Sequence, residues 1–200
     1  MSGRLIILDL DGTCYPSGTA LTRMIDARTT EFLIRRGGLT LAEITEMEGR
    51  IPSILGALAL LGIPRKRWAD AVYRAIPYRE LLRPDRASAR ILSRVTANRV
   101  VVTMAPQTHA IAVLEALGLT VMIDQTVSVY DAGHCDKQGI YRDLIEKHGA
   151  SATTVLGDNV ALDLAPAAVL GCRCVQIHPR QLAGPYPIYR DLMQALSALK

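Results

Sequence analysis

Aromatic side chains are scarce in this chain: they fill 4% of 200 positions, with one Phe and one Trp. Aliphatic residues must therefore build the core, and a stacking platform for single-stranded nucleic acid is not expected. Long apolar runs are also lacking. The longest, from Ile51 to Ile63, is broken by Pro52 and two glycines and falls short of the roughly 20 residues a membrane span needs. The four cysteines (Cys14, Cys135, Cys172, Cys174) form no CxxC pair and no secreted-type spacing, which points to a reduced, cytoplasmic protein. The first residues run straight into a short apolar strand that ends in Asp9, so they do not read as a signal peptide. There is no internal repeat and no low-complexity segment.

Half of the residues are hydrophobic, enough for a sizeable core and against disorder. The length suits one α/β domain, or a core with a modest insertion. The formal charge of +4 is unevenly spread: residues 1–100 hold 16 Lys/Arg against 10 Asp/Glu, and residues 101–200 hold 7 against 9. The excess is almost all Arg between residues 20 and 99. Such a face can draw in an anionic substrate or mark a nucleic-acid footprint; it can equally be a set of solvated helix faces.

Continuous apolar runs at Leu5–Leu8, Val100–Val102, Thr154–Leu156 and Cys174–Ile177 read as strands buried on both faces. A weaker run lies at Thr120–Ile123, with Thr126–Val129 as its continuation. Helical patterns at Gln107–Leu117, Gly139–His148 and Val160–Leu170 each stop at a glycine, the expected C-terminal signal. Strand, helix, Gly, strand is the rhythm of an open parallel sheet. Residues 19–96 interrupt it with helical periodicity at Leu21–Arg35, Leu41–Leu61, Arg65–Ile76 and Asp85–Val95. The expectation is a doubly wound α/β core, residues 1–18 and 97–200, carrying an all-helical cap, residues 19–96.

In open α/β sheets ligands bind at the carboxyl ends of the strands, and here those ends carry polar residues. The first strand ends in Asp9-Leu10-Asp11-Gly12-Thr13, the strand at Val100 in Thr103, and the strand at Thr154 in Gly157-Asp158, with Asp163 five residues on. Lys137 opens the preceding helix. A carboxylate can attack phosphorus and split hydrolysis into two easier steps. A second carboxylate two residues on points the same way off an extended segment and can protonate the leaving oxygen. The charge on a transferring phosphoryl group calls for cations and donors, roles that suit Lys137 and the Thr103 hydroxyl. Converging carboxylates call for a hard divalent cation, and Mg²⁺ is usually held by one or two of them plus substrate oxygens; Asp158 is the natural partner of Asp9.

These segments resemble the four motifs of the haloacid dehalogenase superfamily of aspartate-nucleophile phosphatases. Asp9-Leu10-Asp11-Gly12-Thr13 is similar to the first, Thr103 to the second, Lys137 to the third, and Gly157-Asp158 with Asp163 to the fourth. The resemblance implies a Rossmann-like core with a helical cap. It also implies Asp9 as nucleophile and Mg²⁺ ligand, and Asp11 as general acid/base whose backbone carbonyl reaches the metal. Asp158 would be the third ligand and Asp163 the metal support, with Thr103, Met104 and Lys137 on the phosphoryl group. Dehalogenases of that superfamily lack an acid at the position of Asp11. Tyr15-Pro16, Ile76 to Asp85, His109-Ala110 and Leu117-Gly118 are similar to pyrimidine 5′-nucleotidase-like members. Met104-Ala105, Gln138 and Gly157-Asp158-Asn159 depart from that pattern.

Each residue also has a plainer reading. Asp and Gly are common in strand-end turns, and Lys137 could be a solvated lysine. His134-Cys135-Asp136 reads as a surface loop, Cys172 and Cys174 as buried thiols, and His109, His148 and His178 as structural or exposed. Trp68 and Met24 read as cap core. Arg23 and Arg28 lie close enough in sequence to the catalytic loop to meet the substrate, or are solvated. The expected function is Mg²⁺-dependent hydrolysis of a small phosphorylated metabolite, a nucleoside 5′-monophosphate among the options. The alternatives are a phosphomutase of the same fold and a non-catalytic protein that binds a partner through a basic cap.

Overall fold

A computed structural model describes residues 3–180 and 184–199. The chain opens with β1 (Leu5–Leu8) and two short strands that pair with each other, β2 (Asp11–Gly12) and β3 (Tyr15–Pro16). Helices follow: α1 (Ala20–Gly37), α2 (Leu41–Arg50), α3 (Ile54–Leu60), α4 (Arg65–Val72), α5 (Tyr78–Leu81) and α6 (Arg86–Leu92). Alternation then sets in with β4 (Asn98–Thr103), α7 (Gln107–Leu117), β5 (Gln125–Ser128), α8 (Gln138–His148), β6 (Thr153–Gly157), α9 (Ala165–Val169) and β7 (Arg173–Ile177). It closes with β8 (Ile188–Tyr189) and α10 (Leu192–Ala198).

Among the described residues, six strands form one parallel sheet in the order β5-β4-β1-β6-β7-β8. The chain builds outward from β1 on one side, then returns to build outward on the other, which is the doubly wound arrangement. Such a sheet has its crevice where the order reverses, beside the first strand. β1 explains why its sequence is unbroken in hydrophobicity. Ile6 and Leu8 point to one face, packed with Val101, Leu156 and Val175 under α6, α7 and α10. Leu5 and Ile7 point to the other, packed with Val100, Val102 and Val155 under α8 and α9. Alternating side chains bury both faces, so no polar position is tolerated until the strand ends.

Local chemistry sets the helix ends. Thr19 caps α1, Thr40 and Glu43 form a reciprocal capping box on α2, and Ser53 caps α3; each satisfies amide donors that the first turn leaves open. The helix expected over Leu41–Leu61 is two helices. Pro52 supplies no amide hydrogen and pushes Ile51 out of helical geometry, so α2 stops there. The stretch at Thr120–Met122 is a 3₁₀ turn, and the edge strand is β5. Pro166 sits in the first turn of α9, where its missing N–H costs nothing. The turn before it, Val160–Leu164, is π-helical. β8 and α10 lie outside every strand and helix the sequence suggested.

Candidate active site

The parallel register brings four loops to one edge. Leu8 pairs with Val101 on β4 and Leu156 on β6, so Asp9, Thr103 and Asp158 leave the sheet side by side. Lys137 arrives from the start of α8. The residue is 1% exposed, and its ammonium donates to Asp9 Oδ1 at 2.5 Å and to Asp163 Oδ1 at 2.7 Å. Carboxylate oxygens of Asp9, Asp158 and Asp163 lie within 4.8 Å of one another. The backbone amide of Asn159 donates to Asp163 Oδ2, fixing that carboxylate across the π-helical turn. A Cβ on Gly12, whose φ is +93°, would overlap the Asp158 carboxylate, and one on Gly157 would overlap the Asp163 side chain. Both glycines are therefore required by the close approach of the loops.

One ammonium cannot neutralise three carboxylates. Burial, and then the charge of Asp163, push the Asp9 carboxyl well above the usual carboxylate range despite Lys137. Burial and Asp163 also push Asp158 up to about 7. Lys137 moves the other way: burial disfavours its charge, but Asp163 and Asp9 together hold its pKa well above the ordinary lysine value. A largely buried cluster of hard oxygen donors with surplus negative charge fits a divalent cation of the Mg²⁺ type. Asp9 and Asp158 would hold it, with Asp163 beside them.

Asp11 is organised differently. Its Oδ1 accepts from the Tyr15 hydroxyl and from His109 Nε2 at 2.9 Å, and His109 Nδ1 in turn meets the Tyr78 hydroxyl at 2.9 Å. A carboxylate can only accept, so His109 Nε2 carries a hydrogen. Burial alone would raise the Asp11 carboxyl. The charge and hydrogen bond of His109, with the Tyr15 hydrogen bond, outweigh it and lower the pKa. Both bonds fall on Oδ1, and among the described residues Oδ2 has no hydrogen-bond partner.

The haloacid dehalogenase-like hydrolase family matches residues 4–171. The chain belongs to this family. No curated protein sequence matches it. Among solved structures, 2-haloacid dehalogenase from Pseudomonas syringae pv. Tomato DC3000 is 18% identical over 98% of both chains, with a TM-score of 0.60. A HAD phosphatase from Thermococcus onnurineus is 17% identical over 98% of this chain and 97% of its own, with a TM-score of 0.64. L-2-haloacid dehalogenase from Xanthobacter autotrophicus is 16% identical over 98% of both, with a TM-score of 0.61. At these identities the likeness speaks for the fold.

Within this hydrolase, Asp9, Lys137, Asp158 and Asp163 meet directly. Asp11 lies two residues from Asp9 and faces a cleft of about 1010 Å³ between the strand ends and helices α1 to α4. Met104 lines that cleft. Thr103 is buried at the same edge, its hydroxyl accepting from the Ala105 amide at 3.1 Å. The basic residues of the helical segment do not enter the cleft. Arg28 donates to the carbonyls of Val72 and Arg74, and Arg23 to that of Gly18. Arg65 donates to the carbonyls of Tyr130, Gly133 and His134. With Ser53, which donates to the Cys135 carbonyl, it ties down the irregular loop that delivers Lys137. His134-Cys135-Asp136 belongs to that loop, and among the described residues it joins no metal-type cluster. His109 is the residue sequence reasoning undervalued. It stands 98 positions from Asp11, and a lone histidine on an apolar helix carries no local sign of such a partner.

Proposed function

We propose that this hydrolase is a phosphomonoesterase that works through an aspartyl-phosphate on Asp9. Asp11 carries the reading: a second carboxylate, two residues on, oriented through one oxygen and free at the other. Displacement of halide from carbon requires no acid for its leaving group; displacement of an alkoxide from phosphorus does. The superfamily's dehalogenases, by resemblance, lack an acid there. The helices over the strand ends act in this reading as a cap that shields the reaction from water. The four unpaired cysteines suit a reduced compartment. Among the described residues, no helix is long and apolar enough to cross a membrane.

An oxygen of Asp9 attacks phosphorus, while Lys137 holds that carboxylate in place and offsets charge on the transferring group. Asp11 is ionised in the free site. A phosphate dianion beside it raises its affinity for a proton, which Oδ2 passes to the leaving oxygen. Ionised again, Asp11 removes a proton from the water that cleaves the acyl-phosphate. His109 and Tyr15 keep Oδ1 occupied throughout and so fix which oxygen reacts. Mg²⁺ bound at Asp9 and Asp158 would hold Asp9 ionised against its raised pKa and neutralise phosphoryl charge.

The test is hydrolysis of an aryl phosphate by the purified protein with and without Mg²⁺. Turnover is expected only with the metal and is lost in Asp9→Asn. Activity that survives Asp9→Asn would sink the assignment. Transfer of the phosphoryl group to an added sugar phosphate in preference to water would instead make the protein a mutase.

A further inference from the structure

The first half of the chain is basic by sequence, with 16 Lys/Arg against 10 Asp/Glu, yet the cleft above Asp11 is not. Its charged lining consists of Asp11 on the floor, Asp26 on α1 and Glu48 on α2; neither Lys nor Arg lines it among the described residues. The arginines of the helical segment are engaged elsewhere. Arg28 and Arg65 are tied to backbone carbonyls, and Arg35 and Arg50 pair with Glu31 and Glu46 on the outer surface.

The field in the cleft follows from this placement. Partial burial, then Glu48, then Asp11 raise the Asp26 carboxyl, so the two carboxylates act on the same space. Thr29 and Thr30, one turn beyond Asp26 on α1, and Tyr73 line that space as well. The Tyr73 ring lies against His109, 4.7 Å between centroids and tilted by 55°, beside the imidazole that orients Asp11. Burial, then Asp11, Tyr78 and Asp26 push its hydroxyl well above the ordinary tyrosine value. That phenol therefore stays protonated and can donate. Among the described residues, none makes a hydrogen bond to it.

From this geometry we infer that the cleft selects a phosphomonoester whose alcohol portion carries an amine. The phosphoryl group sits at Lys137 and the Asp9 cluster, and the ammonium sits between Asp26 and Glu48, with Thr29, Thr30 and Tyr73 for hydroxyls in between. A leaving group that carries a carboxylate or a second phosphate meets two like charges with no counter-ion in the wall, and is rejected. The cleft of about 1010 Å³ has room for an amino alcohol or an amino sugar.

This inference rests on the phosphatase reading, and its experiment separates the two. Three near-isosteric esters are compared with Mg²⁺ present: 3-aminopropyl phosphate, butyl phosphate and 3-phosphooxypropanoate, with an aryl phosphate as reference. The expected order of kcat/KM is amine over alkyl over acid. The step from amine to alkyl is on the order of tenfold, the scale of two partly solvated charge pairs. In Asp26→Asn/Glu48→Gln the amine-to-acid ratio collapses toward one. Retention of the ratio in Asp26→Glu, against its collapse in the double variant, would show that the charge, and not the fold, sets it. Equal rates for the three esters, or preference for the acid, with the aryl phosphate still hydrolysed, would overturn the inference and leave the phosphatase reading standing. Failure to hydrolyse any ester would overturn both.

Discussion

The two sides of the cleft are built on opposite principles. On the sheet side the charged groups are buried and held: Asp9, Lys137 and Asp163 are 7%, 1% and 2% exposed, and each has a fixed partner. On the helix side Asp26 and Glu48 stand in an open wall, and among the described residues Glu48 has no fixed partner. The buried side can be strong because water does not screen it. The open side can be selective at little cost to the fold, because a solvated charge exchanges partners for almost nothing. Under the proposed function, chemistry and specificity are thus placed where their energetics allow.

That contrast can be broken from the buried side first. Asp9→Asn should lower turnover by on the order of 10³-fold or more, measured as steady-state aryl phosphate hydrolysis with protein stability checked alongside. Lys137→Met leaves Asp9 and Asp163 buried without a counter-charge and should cost about 3–5 kcal/mol of unfolding free energy in metal-free buffer. Denaturant titration checks this, and added Mg²⁺ should return part of the loss. A midpoint unchanged from wild type would mean that the cluster is more solvated than its burial indicates.

His109 tests the seam between the two sides. His109→Ala should reduce kcat by about 10²-fold, the scale expected when a reacting group loses its orientation, with KM changed by less than about threefold. Tyr78→Phe should follow in the same direction by a smaller factor, since it removes one hydrogen bond at about 1 kcal/mol. A rise in KM with kcat intact would move His109 from orienting Asp11 to contacting substrate.

The smallest effect concerns pH. The Asp158 carboxyl titrates near 7 in the folded protein and near its ordinary value when unfolded. Between the two values the folded state holds the extra proton. Metal-free stability from this group is therefore present at low pH and is lost as pH rises through about 7. The difference in melting temperature between wild type and Asp158→Asn should favour wild type more at pH 6 than at pH 8. Mg²⁺ should stabilise wild type more at pH 8, where Asp158 is free to bind it.

Three sheet-side positions were legible because each closes an apolar run. A strand buried on both faces leaves polar groups only at its end, so Asp9, Thr103 and Asp158 are marked by the sequence that precedes them. Lys137 was less legible, since an irregular loop precedes it and Ser53 and Arg65 of the helical segment hold that loop in place. The same applies to Arg28. A basic residue near the catalytic loop suggested a substrate contact, but its guanidinium is spent on the carbonyls of Val72 and Arg74. β8 and α10 were invisible because a two-residue strand and a seven-residue helix carry too few positions for a period to show.

The sequence alone determined the doubly wound core, its carboxyl edge and the residue types gathered there, because hydrophobic periodicity and strand ends are local properties. Only the tertiary structure decided how those groups are poised. It gave Asp11 its partners in His109 and Tyr15, bound Lys137 between two carboxylates, and turned a basic segment so that its acidic residues face the cleft. Such pairings join positions far apart in the chain, and their energies depend on burial and distance, which no local pattern encodes.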